Sequence, residues 1–137
     1  MAHLLLIEDD QTLRRALCVS LEKMGHTVVE TGDGRQALSA FKKQPADLIV
    51  TDLIMPGMEG VETIRELKKM NPRVPIIAIS GGGRGSPAGY LQIAQSFGAD
   101  KIYAKPFDIG ALCQSVEELL GNIGGSTQAE RDDRGPS

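Results

Sequence analysis

Asp47-Leu48-Ile49-Val50-Thr51-Asp52-Leu53-Ile54-Met55-Pro56-Gly57 is the stretch whose reading decides the fold. Leu48 to Thr51 are apolar or β-branched, a run too short for a helix and suited to a strand buried on both faces. The run meets Asp52. Beyond it Met55-Pro56-Gly57 does not easily prolong a strand, because proline lacks a donor and glycine tolerates positive φ. Asp52 is therefore expected where a buried strand reaches the surface. In parallel α/β sheets ligands bind in the crevice outside such carboxyl ends. Taken singly, an Asp there is a capping or turn residue.

Toward the N-terminus the same grammar repeats. His3 to Ile7 reads as a buried strand ending in Glu8-Asp9-Asp10. Leu13, Leu17, Leu21 and Met24 follow at helical spacing, with Asp10 as the candidate cap and Gly25 at the far end. His26 to Glu30 makes a second strand. Thr31-Gly32-Asp33-Gly34 turns the chain into a helix carrying Ala37, Leu38 and Phe41, which Pro45 ends.

Toward the C-terminus, Met58 to Met70 is expected as a helix with Val61, Ile64 and Leu67 inward, stopped by Asn71-Pro72. Val74 to Ser80 is a strand. A glycine-rich loop, Gly81-Gly82-Gly83-Arg84-Gly85, leads to a helix begun by Pro87 and ended by Gly98. Lys101 to Ala104 is a fifth strand, then Lys105-Pro106, then a helix from about Asp108 to Leu120. Residues 1–121 are expected to form one domain. Residues 122–137 hold nothing large and apolar after Ile123 and are expected to be a disordered tail.

Five rounds of strand then helix imply an α/β fold with a five-stranded parallel sheet and helices on both faces. The order 2-1-3-4-5 fits this length and makes strands one and three neighbours across the switch point. Glu8, Asp9 and Asp52 then meet at one rim. The 137 residues, 41% apolar and 24% charged with net charge −3, are ordinary for a soluble domain. There is no basic stripe for nucleic acid, so no direct DNA binding is expected. No signal or membrane-spanning segment is read, which points to a cytoplasmic protein, monomeric or a weak dimer. Cys18 and Cys113 lie far apart and read as core thiols, and His3 and His26 as structural.

Three carboxylates in one crevice repel each other unless a cation sits among them or some are protonated. Only oxygen donors are on offer, which favours a hard cation such as Mg²⁺. Ser80 closes the fourth strand with a hydroxyl and Lys105 follows the fifth with an ammonium. Acids, cation, hydroxyl and lysine together suit a phosphoryl group, with a carboxylate as nucleophile. Each residue alone reads as a turn, a loop hydroxyl or a solvated lysine. Their coincidence at four of five strand ends reverses that.

Leu5-Leu6-Ile7-Glu8-Asp9-Asp10, Thr51-Asp52-Leu53-Ile54-Met55-Pro56-Gly57-Met58, Ile77-Ala78-Ile79-Ser80-Gly81 and Gly98-Ala99-Asp100 through Lys105-Pro106-Phe107 carry a family resemblance. The chain resembles the CheY-like receiver domain of bacterial two-component response regulators, over about Leu4 to Leu120. The resemblance implies a phosphoacceptor at Asp52, supplied by a sensor histidine kinase or a histidine phosphotransferase. It implies Mg²⁺ held by Asp9, Asp52 and the Ile54 carbonyl, with Glu8 acting through water. Ser80 and Lys105 would contact the phosphoryl group, and Lys105-Pro106 would be a cis peptide. A receiver catalyses its own phosphotransfer and dephosphorylation without being a conventional enzyme. With no output domain read, the signal would leave by phosphorylation-dependent protein binding or onward phosphotransfer.

Two departures stand out. Many receivers carry Tyr or Phe three positions before the lysine, where this chain has Ile102 followed by Tyr103. The stretch between Ser80 and Lys105 is longer than usual, with the extra length in the glycine-rich loop. Because Ile102 carries no polar phenol and Gly81, Gly82, Gly83 and Gly85 give wide backbone freedom, the loop from Gly81 to Gly89 is expected to carry the conformational switch. Two rival readings are a receiver-fold interaction module that is never phosphorylated and a dinucleotide-binding domain. The second rests on Gly83-Arg84-Gly85-Ser86-Pro87-Ala88, which matches GxGxxA but follows the fourth strand rather than the first.

Overall fold

The computed structural model describes residues 2–53, 60–80, 95 and 98–124. The described chain runs β1 (His3–Ile7), α1 (Gln11–Lys23), β2 (Thr27–Thr31), α2 (Gly34–Lys43), β3 (Leu48–Asp52), α3 (Gly60–Met70), β4 (Ile76–Ser80), β5 (Lys101–Ala104) and α4 (Ile109–Gly124). The strands pair in parallel in the order β2-β1-β3-β4-β5, as the alternating pattern predicts. The glycine-rich loop, most of the helix expected after Pro87, the Met55-Pro56-Gly57 turn, the GxGxxA match and residues 125–137 lie outside the described residues.

Side-chain alternation sorts the strands into two cores. Leu5, Ile7, Ile49, Ile76 and Ala78 pack with Ala37 and Phe41 of α2 and Ile64 and Leu67 of α3. Leu4, Leu6, Leu48, Val50, Ile77 and Ile79 pack on the other face with Leu17, Cys18 and Leu21 of α1 and Leu112 and Val116 of α4. β3 and β4 are buried throughout, whereas the edge strands β2 and β5 are half-exposed. That explains why the central strands read as unbroken apolar runs.

Local chemistry sets the element ends. Asp10 caps α1 by accepting from Leu13 N at 3.2 Å, and Asp33 caps α2 by accepting from Gln36 N at 2.8 Å. Gly25 (φ 97°) follows α1 in the left-handed conformation that lets the chain leave a helix. Gly98 (φ 115°) is also left-handed, shortly before β5, where the Lys68 stem covers it.

Three boundaries differ from the sequence reading. β2 begins and ends one residue later than expected, a small slip on a half-exposed edge. β4 begins at Ile76, because Pro75 has no N–H and Val74 N is used by the Asn71 carbonyl at 3.2 Å. α4 runs to Gly124, past the expected end at Leu120 and into the stretch expected to be a disordered tail. A last turn needs only its own i→i−4 bonds, and helix ends are the least firmly set positions.

The thiols and imidazoles have structural surroundings. Both cysteines are free, and burial, then a hydrogen bond to Glu30, pushes the Cys18 thiol up to about 12. His26 is buried, accepts from Ala2 N at 3.1 Å through Nδ1 and lies 2.6 Å from Glu117 Oε2 through Nε2. It ties the start of β1 to α4. Among the described residues no helix is long and apolar enough to cross a membrane.

Candidate functional site

The sheet register brings the expected residues to one rim. Ile7 pairs with Thr51, so Glu8 and Asp52 emerge side by side where β1 and β3 end. Asp52 pairs with Ile79, and Ser80 pairs with Ala104. Lys105 N donates to the Ser80 carbonyl at 2.8 Å, which carries the pairing of β4 and β5 one residue further and sets Lys105 at the mouth.

Lys105 lies between two acids. Its Nζ donates to Asp52 Oδ2 at 3.1 Å and to Glu8 Oε2 at 3.3 Å. Burial alone would lower the Lys105 pKa, but the Asp52 and Glu8 charges outweigh it and raise the pKa above the ordinary lysine value. The Lys105-Pro106 peptide is cis, as the resemblance implied.

Glu8 is the most perturbed acid of the site. Its side chain is 0% exposed. Burial, then the neighbouring Asp52 charge, pushes its carboxyl up to about 7. Oε2 accepts from Asp10 N at 3.0 Å. Oε1 lies 3.1 Å from Lys105 Nζ but off the hydrogen-bond direction, and it accepts no hydrogen bond among the described residues.

Glu8, the exposed Asp9 and the buried Asp52 each offer a carboxylate oxygen, all within 4.8 Å of one another. One ammonium against three carboxylates leaves the cluster net negative. The donors are all oxygen, two are buried, and Glu8 Oε1 has unused lone pairs. That set fits a hard divalent cation better than Zn²⁺ or copper, which favour nitrogen and sulfur. Ile54, expected to add a carbonyl, lies outside the described residues. Ser80 is buried at the end of β4.

The comparisons with known proteins agree with this geometry. The response regulator receiver domain family matches residues 4–117. The chain belongs to this family. Its receiver domain is 31% identical to the response regulator receiver protein CpdR of Brucella abortus, covering 88% of this chain and 98% of that one. It is 33% identical to a segment of the sensor kinase CckA of the same organism, covering 87% of this chain but 12% of the kinase. Among solved structures it resembles the receiver domain of Francisella response regulator 1452, with TM-score 0.80 and 26% identity over 90% of this chain and 99% of that one. The receiver spans only about a quarter to a half of several transcriptional regulators it also matches. Receivers of two-component systems are phosphorylated by sensor kinases, and they typically bind Mg²⁺ at an acidic cluster such as this one.

The structure also shows three contributors that the sequence reading passed over. Arg14 of α1 donates from its NH1 nitrogen to the Glu8 carbonyl at 2.9 Å. Glu30 on β2 pairs with Arg14 Nε at 3.3 Å and also with Arg15. Gly60 opens α3 directly against β3: its N–H donates to the Leu53 carbonyl at 3.0 Å, and a Cβ there would overlap the Asp52 carbonyl oxygen and Leu53 Cα. A glycine inside an expected helix was a usable signal for that close approach. Arg14 and Glu30 carried none, since charged residues on a helix flank and an edge strand ordinarily face water.

Proposed function

We propose that this receiver accepts a phosphoryl group on Asp52 from a phosphohistidine on a sensor histidine kinase or histidine phosphotransferase. It would then signal by phosphorylation-dependent protein binding or onward transfer. The observation that carries this reading is the placement of the buried Asp52 carboxylate at the end of β3, 3.1 Å from Lys105 Nζ and beside Glu8 and Asp9.

In this reading an Asp52 oxygen attacks phosphorus, the P–N bond breaks, and the electron pair leaves on the imidazole. Lys105 Nζ, 3.1 Å from Asp52 Oδ2, marks the side of the carboxylate on which the phosphoryl charge would be met. Asp9, Asp52 and the Ile54 carbonyl would hold Mg²⁺, with Glu8 acting through water, and the ion would supply charge neutralisation for the transferring group. Lys105 meets the new phosphoryl oxygens, and the Ser80 hydroxyl donates to one of them. The burial of Glu8, Asp52 and Ser80 keeps bulk water from competing for these contacts.

The test is labelling by acetyl phosphate with Mg²⁺. Wild type is expected to gain an acid-labile phosphoryl group. Asp52→Asn and wild type in EDTA are expected to gain none while their circular dichroism stays native. Undiminished labelling of Asp52→Asn rejects Asp52 as the acceptor. Absence of labelling in the wild type with both acetyl phosphate and a phosphorylated kinase favours the interaction-module reading instead.

A further inference from the structure

The loop that carries Glu8 and Asp9 is held from behind by a side chain that touches neither carboxylate. Beyond Ile7 the chain leaves the sheet. Glu8 N still donates to the Thr31 carbonyl at 3.0 Å, continuing the ladder to β2. Among the described residues the Glu8 carbonyl has no such ladder partner, and a backbone acceptor at a sheet end must find one elsewhere. Arg14 supplies it at 2.9 Å through NH1. That carbonyl belongs to the peptide joining the two acids. On either side of it Glu8 is fully buried and Asp9 exposed, yet their carboxylate oxygens come within 4.8 Å of each other.

Arg14 is itself held. Its Nε pairs with Glu30 Oε1 at 3.3 Å, and both side chains are about four-fifths buried, at 20% and 21% exposure. Burial alone would raise the Glu30 pKa. A hydrogen bond from the Cys18 thiol and the Arg15 and Arg14 guanidiniums outweigh it and keep Glu30 below the usual carboxylate range. Arg14 starts one helical turn after the cap, with its own N–H donating to the Asp10 carbonyl at 2.9 Å. Asp10 N in turn donates to Glu8 Oε2 at 3.0 Å. The segment from Glu8 to Asp10 is thus fixed through Glu8 N, the Glu8 carbonyl and the Glu8 side chain.

We propose that Arg14, braced by Glu30, is a positioning residue that orients the Glu8–Asp9 peptide so that both carboxylates face one divalent cation. The proposal rests on the reading of Glu8 and Asp9 as Mg²⁺-holding residues. It needs the planar guanidinium, because one end must reach Glu30 while another reaches the Glu8 carbonyl. An ammonium of the same charge offers no such fork.

Charge and orientation predict opposite signs, which makes the proposal testable. Arg14 is a cation near a cation site. If it acted only through its field, removing it would tighten Mg²⁺ binding. If it orients the peptide, removing it weakens binding, on the order of tenfold as for other groups that hold metal ligands in place.

The experiment measures Mg²⁺ dissociation constants on the unphosphorylated full chain, by calorimetry and by amide NMR. Wild type is compared with Arg14→Ala, Arg14→Lys and Glu30→Gln. The Mg²⁺ dissociation constant is expected to rise about tenfold in Arg14→Ala. Arg14→Lys should rise nearly as much and Glu30→Gln less. The Asp9 and Asp10 amide resonances of the metal-free chain should move in all three variants. Arg14→Lys keeps the charge and much of the stem, so its native spectrum separates lost positioning from lost folding. Unchanged or tighter binding in Arg14→Ala overturns the proposal, as does full rescue by Arg14→Lys. A wild type with no saturable Mg²⁺ binding overturns the underlying metal reading along with it.

Discussion

Glu8→Gln is the substitution whose outcome the site determines most sharply. In the folded, metal-free chain the Glu8 carboxyl is pushed up from 4.5 to about 7, by burial first and then by Asp52. Below pH 4.5 it is protonated in both the folded and unfolded states. Between there and about pH 7 only the folded state holds the proton, so stability falls as pH rises through that window. At about 1.4 kcal/mol per pH unit, the gap between 4.5 and about 7 makes the loss about 3 kcal/mol once pH exceeds 7. The side chain is fully buried, so solvent screening does not reduce this. The raised Lys105 pKa contributes stability that is lost only as pH rises above the ordinary lysine range, so it is constant across this window. Gln keeps the shape and an oxygen for the Asp10 N–H but carries no charge to bury. Urea unfolding in EDTA is expected to show Glu8→Gln about 3 kcal/mol more stable than wild type at pH 8, and about 1 kcal/mol or less at pH 5. Saturating Mg²⁺ should narrow the gap at pH 8 by stabilising the wild type more than the variant, which keeps Asp9 and Asp52 but lacks the Glu8 charge. A wild-type-to-variant difference that stays constant from pH 5 to pH 8 would refute the reasoning, since ionisations remote from Glu8 cancel in that difference.

Lys105→Ala should still take up phosphate from acetyl phosphate but show a smaller phosphorylation-dependent change in its amide spectrum. In the metal-free state it should raise the Glu8 pKa further, read by carbon-13 NMR of the carboxyl, because Lys105 is the charge that now lowers it; a full spectral response on phosphorylation would contradict the assigned role. Gly60→Ala should cost about 1–3 kcal/mol in urea unfolding, as overpacking does. It should also slow phosphorylation, because the Cβ displaces the Asp52 and Leu53 backbone; a change in stability alone would show that Gly60 serves only packing.

What was legible in the sequence followed from burial. β1, β3 and β4 lose both faces to helices, so their residues had to be apolar one after another, and their bodies were found. Only the start of β4 was set two residues early, because Val74 and Pro75 are as apolar as the strand. The edge strand β2 buries less, so hydrophobicity constrains its ends weakly and its boundaries slipped. The site was legible because a charge directly after a buried strand is conspicuous and the parallel topology sends all such ends to one rim. Arg14 and Glu30 were not legible. Their partners are a backbone carbonyl and each other across two elements, and side-chain type alone cannot distinguish that from solvated charge. Gly60 was half legible: glycine is a poor choice within a helix, but only the coordinates show which backbone it approaches.

The β5 pair Ile102 and Tyr103 illustrates the same distinction within the family pattern. Alternation on β5 sends them to opposite faces. Ile102 packs against the core shared with α2 and α3, while Tyr103 packs against the core shared with α1 and α4. Ile102 is stiff at χ1 and carries no polar group, so it is a packing residue where many receivers place an aromatic ring. Tyr103 has the ring but not its freedom. Its hydroxyl donates to the Ala111 carbonyl at 3.1 Å, lies 2.5 Å from Ser115 Oγ, and its ring sits 5.7 Å from that of Phe107. Swinging the ring out would break both hydrogen bonds at a cost of roughly 1–3 kcal/mol and leave the buried Ser115 hydroxyl to find another partner. Position 103 therefore couples β5 to α4 as a tether, and any displacement of the Lys105 end of the strand is felt by α4 through it.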